Sequence, residues 1–226
     1  MSTNVPSNGD LIREIRRLLP NTITPALSPS SKGNDLFEGF LFMLVLDAAR
    51  SMHARVRYED PQEVPTRTLT LRTSPGRIYT TAPAYTHAVL EFDGADPLEA
   101  HVGIYVAGRS TVAHECDVAV IDKAEAQRSR MQGVHPRSSK ARFTVEAKFY
   151  STPLGIALAR EFTGLRSDLS AQTSLFVTNT TAESVARLLS HQCPVESYHP
   201  HVLPHSEAAA DFRSTARKAL QRYVAQ

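Results

Sequence analysis

An α/β architecture of the α+β kind, with a mixed central sheet flanked by helices, is predicted by three observations. An almost wholly apolar helical run covers residues 36–54, short strand-like runs separated by Pro, Gly and Asp follow from Val56 to about residue 151, and helical spacing returns after residue 154 around one further buried strand. At 226 residues, with 42% hydrophobic and 21% charged residues, the chain has the composition of a soluble globular protein with one substantial core. Residues 34–226 are expected to form a single domain, preceded by an arm and linker over residues 1–33.

The elements follow in order. Residues 1–33 are rich in Pro, Ser and Asn around one amphipathic segment, DLIREIRRLL, with Asp10 placed as its N-cap and Pro20 ending it. Asp35 and Glu38 have the D-x-x-E spacing of a capping box ahead of LFEGFLFMLVLDAARSMHA, which is apolar nearly all round and so predicts a core helix. The runs RTLTLRT, THAVLEFDG, EAHVGIYVAG, STVAHECDVAVID and ARFTVEAKFYS read as a largely antiparallel group of strands. LGIALAREFTG reads as a helix ending at Gly164, TSLFVTN as a buried strand, and Thr180 with Glu183 as a capping box opening TAESVARLLSHQ. Ser206 is placed to cap a last helix reaching about Val224, with Phe212, Ala216, Ala219 and Tyr223 as its apolar stripe.

Bulk properties exclude several classes. The longest apolar run, Gly39 to Leu46, is far shorter than the ~20 residues a membrane-crossing helix needs, and MSTNVPSNGD has no basic-then-apolar leader, so a cytoplasmic protein with no membrane partner is expected. Cys116 and Cys193 are too few for a disulfide framework and lack the paired spacing of a zinc site. A net charge of +2 does not by itself announce a polyanion partner. Residues 123–142 nevertheless hold Lys123, Arg128, Arg130, Arg137, Lys140 and Arg142 against Glu125 alone, a local +5 that reads equally as a solvated loop or a phosphate contact.

Strand alternation places Val112, His114, Cys116, Val118 and Val120 on one face and Ala113, Glu115, Asp117, Ala119 and Ile121 on the other, leaving Asp117 among apolar neighbours. In FTVEAKFY the same period sets Glu146 and Lys148 on one face, opposite Val145 and Ala147. Buried ionised groups need partners, because an unpaired charge in low dielectric costs several kcal/mol or shifts its pKa. These residues therefore need each other or a metal, and an oxygen-only donor set suits a hard cation, Mg²⁺ or Mn²⁺, that keeps several waters.

Glu38 in a core helix ahead of the strands, Asp117 in HECDVAVID, and Glu146-Ala147-Lys148 in VEAK followed by a helix together resemble the PD-(D/E)XK nuclease superfamily over roughly residues 34–180. The resemblance implies a restriction-endonuclease-like core and a divalent-metal-dependent hydrolysis of nucleic-acid phosphodiesters. Carried over, Asp117 and Glu146 are metal ligands, with the Ala147 carbonyl as a further one; Lys148 orients or helps deprotonate the attacking water; Glu38 is an outer ligand. Cys116 stands where the motif usually has Pro. KGNDLFEG, CDVAVID and VEAK are most similar to the compact effector nucleases of antiphage systems, some of them switched on by cyclic oligonucleotides. The expected partner is DNA, with RNA left open, cut with low sequence specificity by a homodimer or larger assembly under an activating partner or second messenger. Arg128, Arg130, Arg137, Lys140 and Arg142, with Arg160 on the following helix, are the expected phosphate contacts, and Arg213 and Arg217 on the last helix could join them.

Bland readings stand beside these. Glu146 and Lys148 alone are more often an ion pair worth little, Glu38 can serve as a capping residue, and Glu115 is an extra ligand or a salt-bridge partner. His191, His199, His201 and His205 with Cys193 match no usual zinc spacing and read as solvated loop histidines. The competing functions are a non-cleaving nucleic-acid or protein-interaction module on the same fold, and a hydrolase of small phosphoesters.

Overall fold

The computed structural model describes residues 6–226, so the first five residues of the N-terminal segment lie outside the described residues. The elements are α1 (Asn8–Leu18), β1 (Thr24–Pro25), α2 (Gly33–Arg50), β2 (Arg55–Glu59), β3 (Thr68–Leu69), β4 (His87–Glu91), β5 (Leu98–Ala107), β6 (Ala113–Asp122), α3 (Lys123–Gln132), β7 (Ala141–Lys148), α4 (Ile156–Asp168), β8 (Ser174–Thr178), α5 (Glu183–Gln192), β9 (Tyr198–His199) and α6 (Glu207–Val224). Seven strands form one sheet in the order β2-β4-β5-β6-β7-β8-β9. The first five pair antiparallel; β7, β8 and β9 pair parallel, because α4 and α5 carry the chain back between them. The sheet is thus mixed, with helices on both faces.

On one face α1, α2 and α6 close the main core. α2 buries Leu36, Phe37, Phe40, Leu41, Met43 and Val45 completely, and each such side chain contributes about 1.5–3 kcal/mol relative to an exposed one. Val118, Val120, Val145, Ala147, Leu175 and Val177 face it from the sheet, and Phe212 and Ala216 of α6 complete it. The segment read as an arm and linker contributes Leu11 and Ile15 of α1 to this same core. The opposite face carries two smaller clusters, one under α3 and the end of α4 (Ile104, Val106, Ala119, Ile121, Leu169), the other under α4 and α5 (Leu154, Phe162, Phe176, Leu189).

Several local expectations are corrected. Ser7, not Asp10, caps α1, and Asp10 closes the reciprocal capping box from the third helical position. Helix α2 starts at Gly33 and ends at Arg50, and no side chain caps it, so Asp35 and Glu38 lie inside the first turns rather than forming a box. Thr180 likewise does not cap α5; the cap position is Ala182, and the Thr180 carbonyl accepts a hydrogen bond from Thr178. Helix α4 runs through Gly164 to Asp168, since a mid-helix glycine costs only about 1 kcal/mol and Leu165 and Leu169 beyond it reach the second cluster. RTLTLRT reduces to β3, paired with β1 in a separate two-stranded sheet, while β2 and β9, both sheet edges, are not among the runs read as strands. Ser206 does cap α6 by accepting from the Ala209 N–H, and the Phe212, Ala216, Ala219, Tyr223 stripe is buried.

The largest correction concerns residues 123–142. They form not a loop but α3, ended by Gly133 at φ +64, then a short turn into β7. Helix α3 buries only Glu125, Ala126 and Ser129, so no apolar stripe revealed it.

Candidate active site

Strands β6 and β7 pair from Ile121/Ala141 to Val118/Val145 and then separate. Strand β7 continues along β8 to Lys148/Thr178, whereas β6 follows β5 away. At the separation Gly103, between Val102 and Ile104, which pair with Val118 and Cys116, takes φ +59, a conformation glycine reaches without steric cost. Beyond it the hairpin folds over the second face: Ala107 donates its N–H to the Pro136 carbonyl, and Ser110 and His114 bind the Asp168 carboxylate at the end of α4, at 2.5 and 2.6 Å. This bend corrects the strict alternation expected of β6. Val118 and Val120 belong to the main core, while Cys116 packs with Ile104, Ala119 and Ile121 on the other side.

Asp117 sits in the fork left by the separation, 6% exposed. Its Oδ2 accepts the Ala147 N–H at 2.6 Å, supplying the acceptor that the ladder no longer provides. That bond sets Asp117 beside Glu146 and Lys148. Lys148 Nζ lies 2.5 Å from Glu146 Oε1, with the two side chains 24% and 19% exposed, and Val145 and Ala147 point the opposite way into the core as the strand period requires. Glu38, from the second turn of α2, and Glu115 complete the group.

Four carboxyls therefore share one ammonium. Burial, then the charges of Asp117, Asp35 and Glu115, push the Glu38 carboxyl far above its ordinary range, with Lys148 opposing. Burial and the Glu146 charge raise Asp117 as well, against the Ala147 N–H and Lys148. Glu115 moves up through burial and Glu146. Burial alone would lower Lys148, but the charge of Glu146 and the hydrogen bond to it, helped by Asp117, leave it raised and charged. Among the described residues no three or more His, Cys, Asp or Glu side chains converge closely enough to form a ready-made metal cage.

One residue had no signal beyond its place at the end of TSLFVTN. Asn179 accepts the Tyr150 N–H at 2.8 Å and donates to the Tyr150 carbonyl at 2.9 Å, so a buried side-chain amide extends the β7–β8 ladder past Lys148 and fixes the strand end.

The expected phosphate contacts lie elsewhere and are engaged. Arg128 and Arg137 both hold Glu125 at 2.6 Å, Arg130 grips Glu99 through two bonds, Arg142 grips Asp122, and Lys140 lies 3.9 Å from Asp122. Arg213 binds Asp47 at 2.6 Å. Arg160 is exposed on α4, with no carboxylate partner among the described residues. Of the histidines, His199 is buried edge-on against Phe212 rather than solvated, and His191, His201 and His205 are exposed.

No helix is long and apolar enough to cross a membrane among the described residues. Comparison with protein-family models, with curated proteins and with solved structures finds no match.

Proposed function

We propose that the fork is the active site of a divalent-metal-dependent nuclease that hydrolyses phosphodiester bonds. The observation that carries this reading is the hydrogen bond that the Ala147 N–H donates to Asp117, which holds a buried acid beside Glu146 and Lys148 where two strands part. The donor set fits a magnesium-like cation. It is made of oxygen atoms, its negative charge is underbalanced by Lys148, and such an ion needs only one or two carboxylates because it retains waters. Asp117 and Glu146 would hold it, and bound there it would lower the pKa of a water and offset charge on the phosphoryl oxygens. Asp117 is held on its backbone donor, so its placement costs no reorganisation. Lys148, kept charged by Glu146, acts as a hydrogen-bond donor that orients the attacking oxygen rather than as a base. Glu38 and Glu115 ring the group and receive protons readily. Cutting both strands of a duplex needs two such sites, so a symmetric homodimer is part of the proposal.

A non-cleaving interaction module on the same fold is favoured by one observation, the absence among the described residues of a converged donor cage. Incubation of plasmid DNA and of single-stranded RNA with the protein and Mg²⁺ or Mn²⁺ separates the two. Nicking or linearisation is expected, with Asp117→Ala and Lys148→Ala each slower by about 10²–10³-fold. Intact substrates with wild type, or variants that cut as fast, remove the nuclease reading.

A further inference from the structure

The basic residues nearest in sequence to the site are consumed by carboxylates, but a different set is not. A cleft of about 260 Å³ opens between the end of α4, the loop leading into β8, the turn before β9 and the end of α6. Arg109, Arg166 and Arg222 line it, together with Ser170, Thr173 and Ser197. None of the three guanidiniums meets a carboxylate among the described residues. Arg109 instead donates to the Ser167 carbonyl and Arg222 donates to the Lys218 carbonyl at 3.4 Å, contacts that orient the forks without neutralising them. The one carboxylate on the lining, Glu196, is 3.9 Å from Lys218.

We infer that this cleft binds a phosphate-bearing anion. Guanidinium groups present planar pairs of N–H donors that match phosphate oxygens bidentately, and serine and threonine hydroxyls add neutral donors that a carboxylate-rich surface would lack. The floor is firm: Ser174, at the start of β8, accepts from Thr144 at 2.9 Å, and Ser170 and Ser138 share a hydrogen bond at 3.0 Å. Thr144 pairs with Ser174 two residues before Glu146, so the cleft and the fork lie along the same strand, β7. The ligand is either a stretch of nucleic-acid backbone or a free nucleotide or phosphate, and the inference does not require the fork to be catalytic.

The test uses the full chain, ¹⁵N-labelled, in EDTA so that no cleavage intervenes. Inorganic pyrophosphate, a mononucleotide and a ten-nucleotide single-stranded DNA are titrated in turn. Saturable shifts confined to the amides of residues 166–173 and 197 are expected, and Arg166→Gln with Arg222→Gln should weaken pyrophosphate binding at least tenfold, whereas Arg217→Gln, on α6 but outside the cleft, should not. If the double variant loses its native spectrum, Arg166→Lys with Arg222→Lys, which keeps charge and stem but not the fork, should still weaken binding at least threefold. An oligonucleotide that displaces pyrophosphate and binds at least tenfold tighter than the mononucleotide identifies a strand as the ligand; equal affinities, or an oligonucleotide that does not displace it, identify the free anion. Shifts scattered over all exposed basic residues, non-saturating binding, or equal weakening by Arg217→Gln overturns the inference, and none of these outcomes depends on whether plasmid is cut.

Discussion

Two groups of buried charges lie on this sheet, and they are built oppositely. In the network under α3, Glu59, Glu63 and Glu99 face Lys123 and Arg130, with Arg57 beside Glu59 and the His87 and His101 rings stacked 4.9 Å apart between them. Glu99 and His101 are fully buried. The His87 ring, with the charges of Lys123 and Arg57, holds Glu59 down at about 2 against the cost of burial, and Glu99 stays well below its ordinary range because His101 and Arg130 outweigh its desolvation. Burial lowers His101 to about 4, although Glu99 opposes this, so it is neutral at pH 7. In the fork the same residue types are burdened the other way, with Glu38, Glu115 and Asp117 all raised. Neutralised charges staple elements together; unbalanced ones leave room for something positive to arrive.

The contrast can be broken at either end. Arg130→Ala strips the main partner from fully buried Glu99 and should cost about 3–5 kcal/mol of unfolding free energy, read by urea denaturation; a loss under 1 kcal/mol would mean that the network does not hold α3. Asn179→Ala should cost about 1–2 kcal/mol, since it removes two part-buried hydrogen bonds to the Tyr150 backbone, with faster hydrogen exchange at the Tyr150 amide as the local signature. Glu38→Gln should stabilise. With its folded pKa raised, ionisation of Glu38 removes stability as pH rises from the ordinary carboxylate range toward the folded value, so the gain of the neutral variant grows in that direction. A rise of about 2–4 °C in unfolding temperature at pH 8, shrinking at pH 5, is expected, and an equal shift at both values would contradict the assignment. Smallest is Arg55→Ala at the exposed edge pair with Glu91, about 0–1 kcal/mol in the same urea assay.

How much of this was readable in the sequence depends on what each residue's signal was. Helix α2 announced itself because nearly all of its positions are apolar, and α6 because its stripe repeats at helical spacing. Glu146 and Lys148 were legible because alternation along β7 is regular. Asp117 was identified as an acid among apolar neighbours, but the bend that aims it was not, since a positive φ at Gly103 and a docked hairpin leave no periodic trace. The ion pairs of the six basic residues of 123–142 were not legible for the converse reason: charge density is local in sequence, whereas the carboxylates that meet most of it, Glu99, Glu125 and Asp122, come from three separate elements. Arg109, Arg166 and Arg222 had no clustering in sequence and are assembled by the fold alone.

The hydrogen bond from the Ala147 N–H to Asp117 has a practical consequence for any inactivation experiment. An acidic side chain that substitutes for a missing strand is scaffold as well as proposed metal ligand, so Asp117→Ala removes both, and its phenotype would mix any lost chemistry with a slackened strand end. Asp117→Asn keeps an oxygen able to accept from Ala147 while withdrawing the negative charge. The isosteric amide is therefore the cleaner knockout, and the difference in folding stability between the two variants measures how far the side chain of Asp117 doubles as backbone.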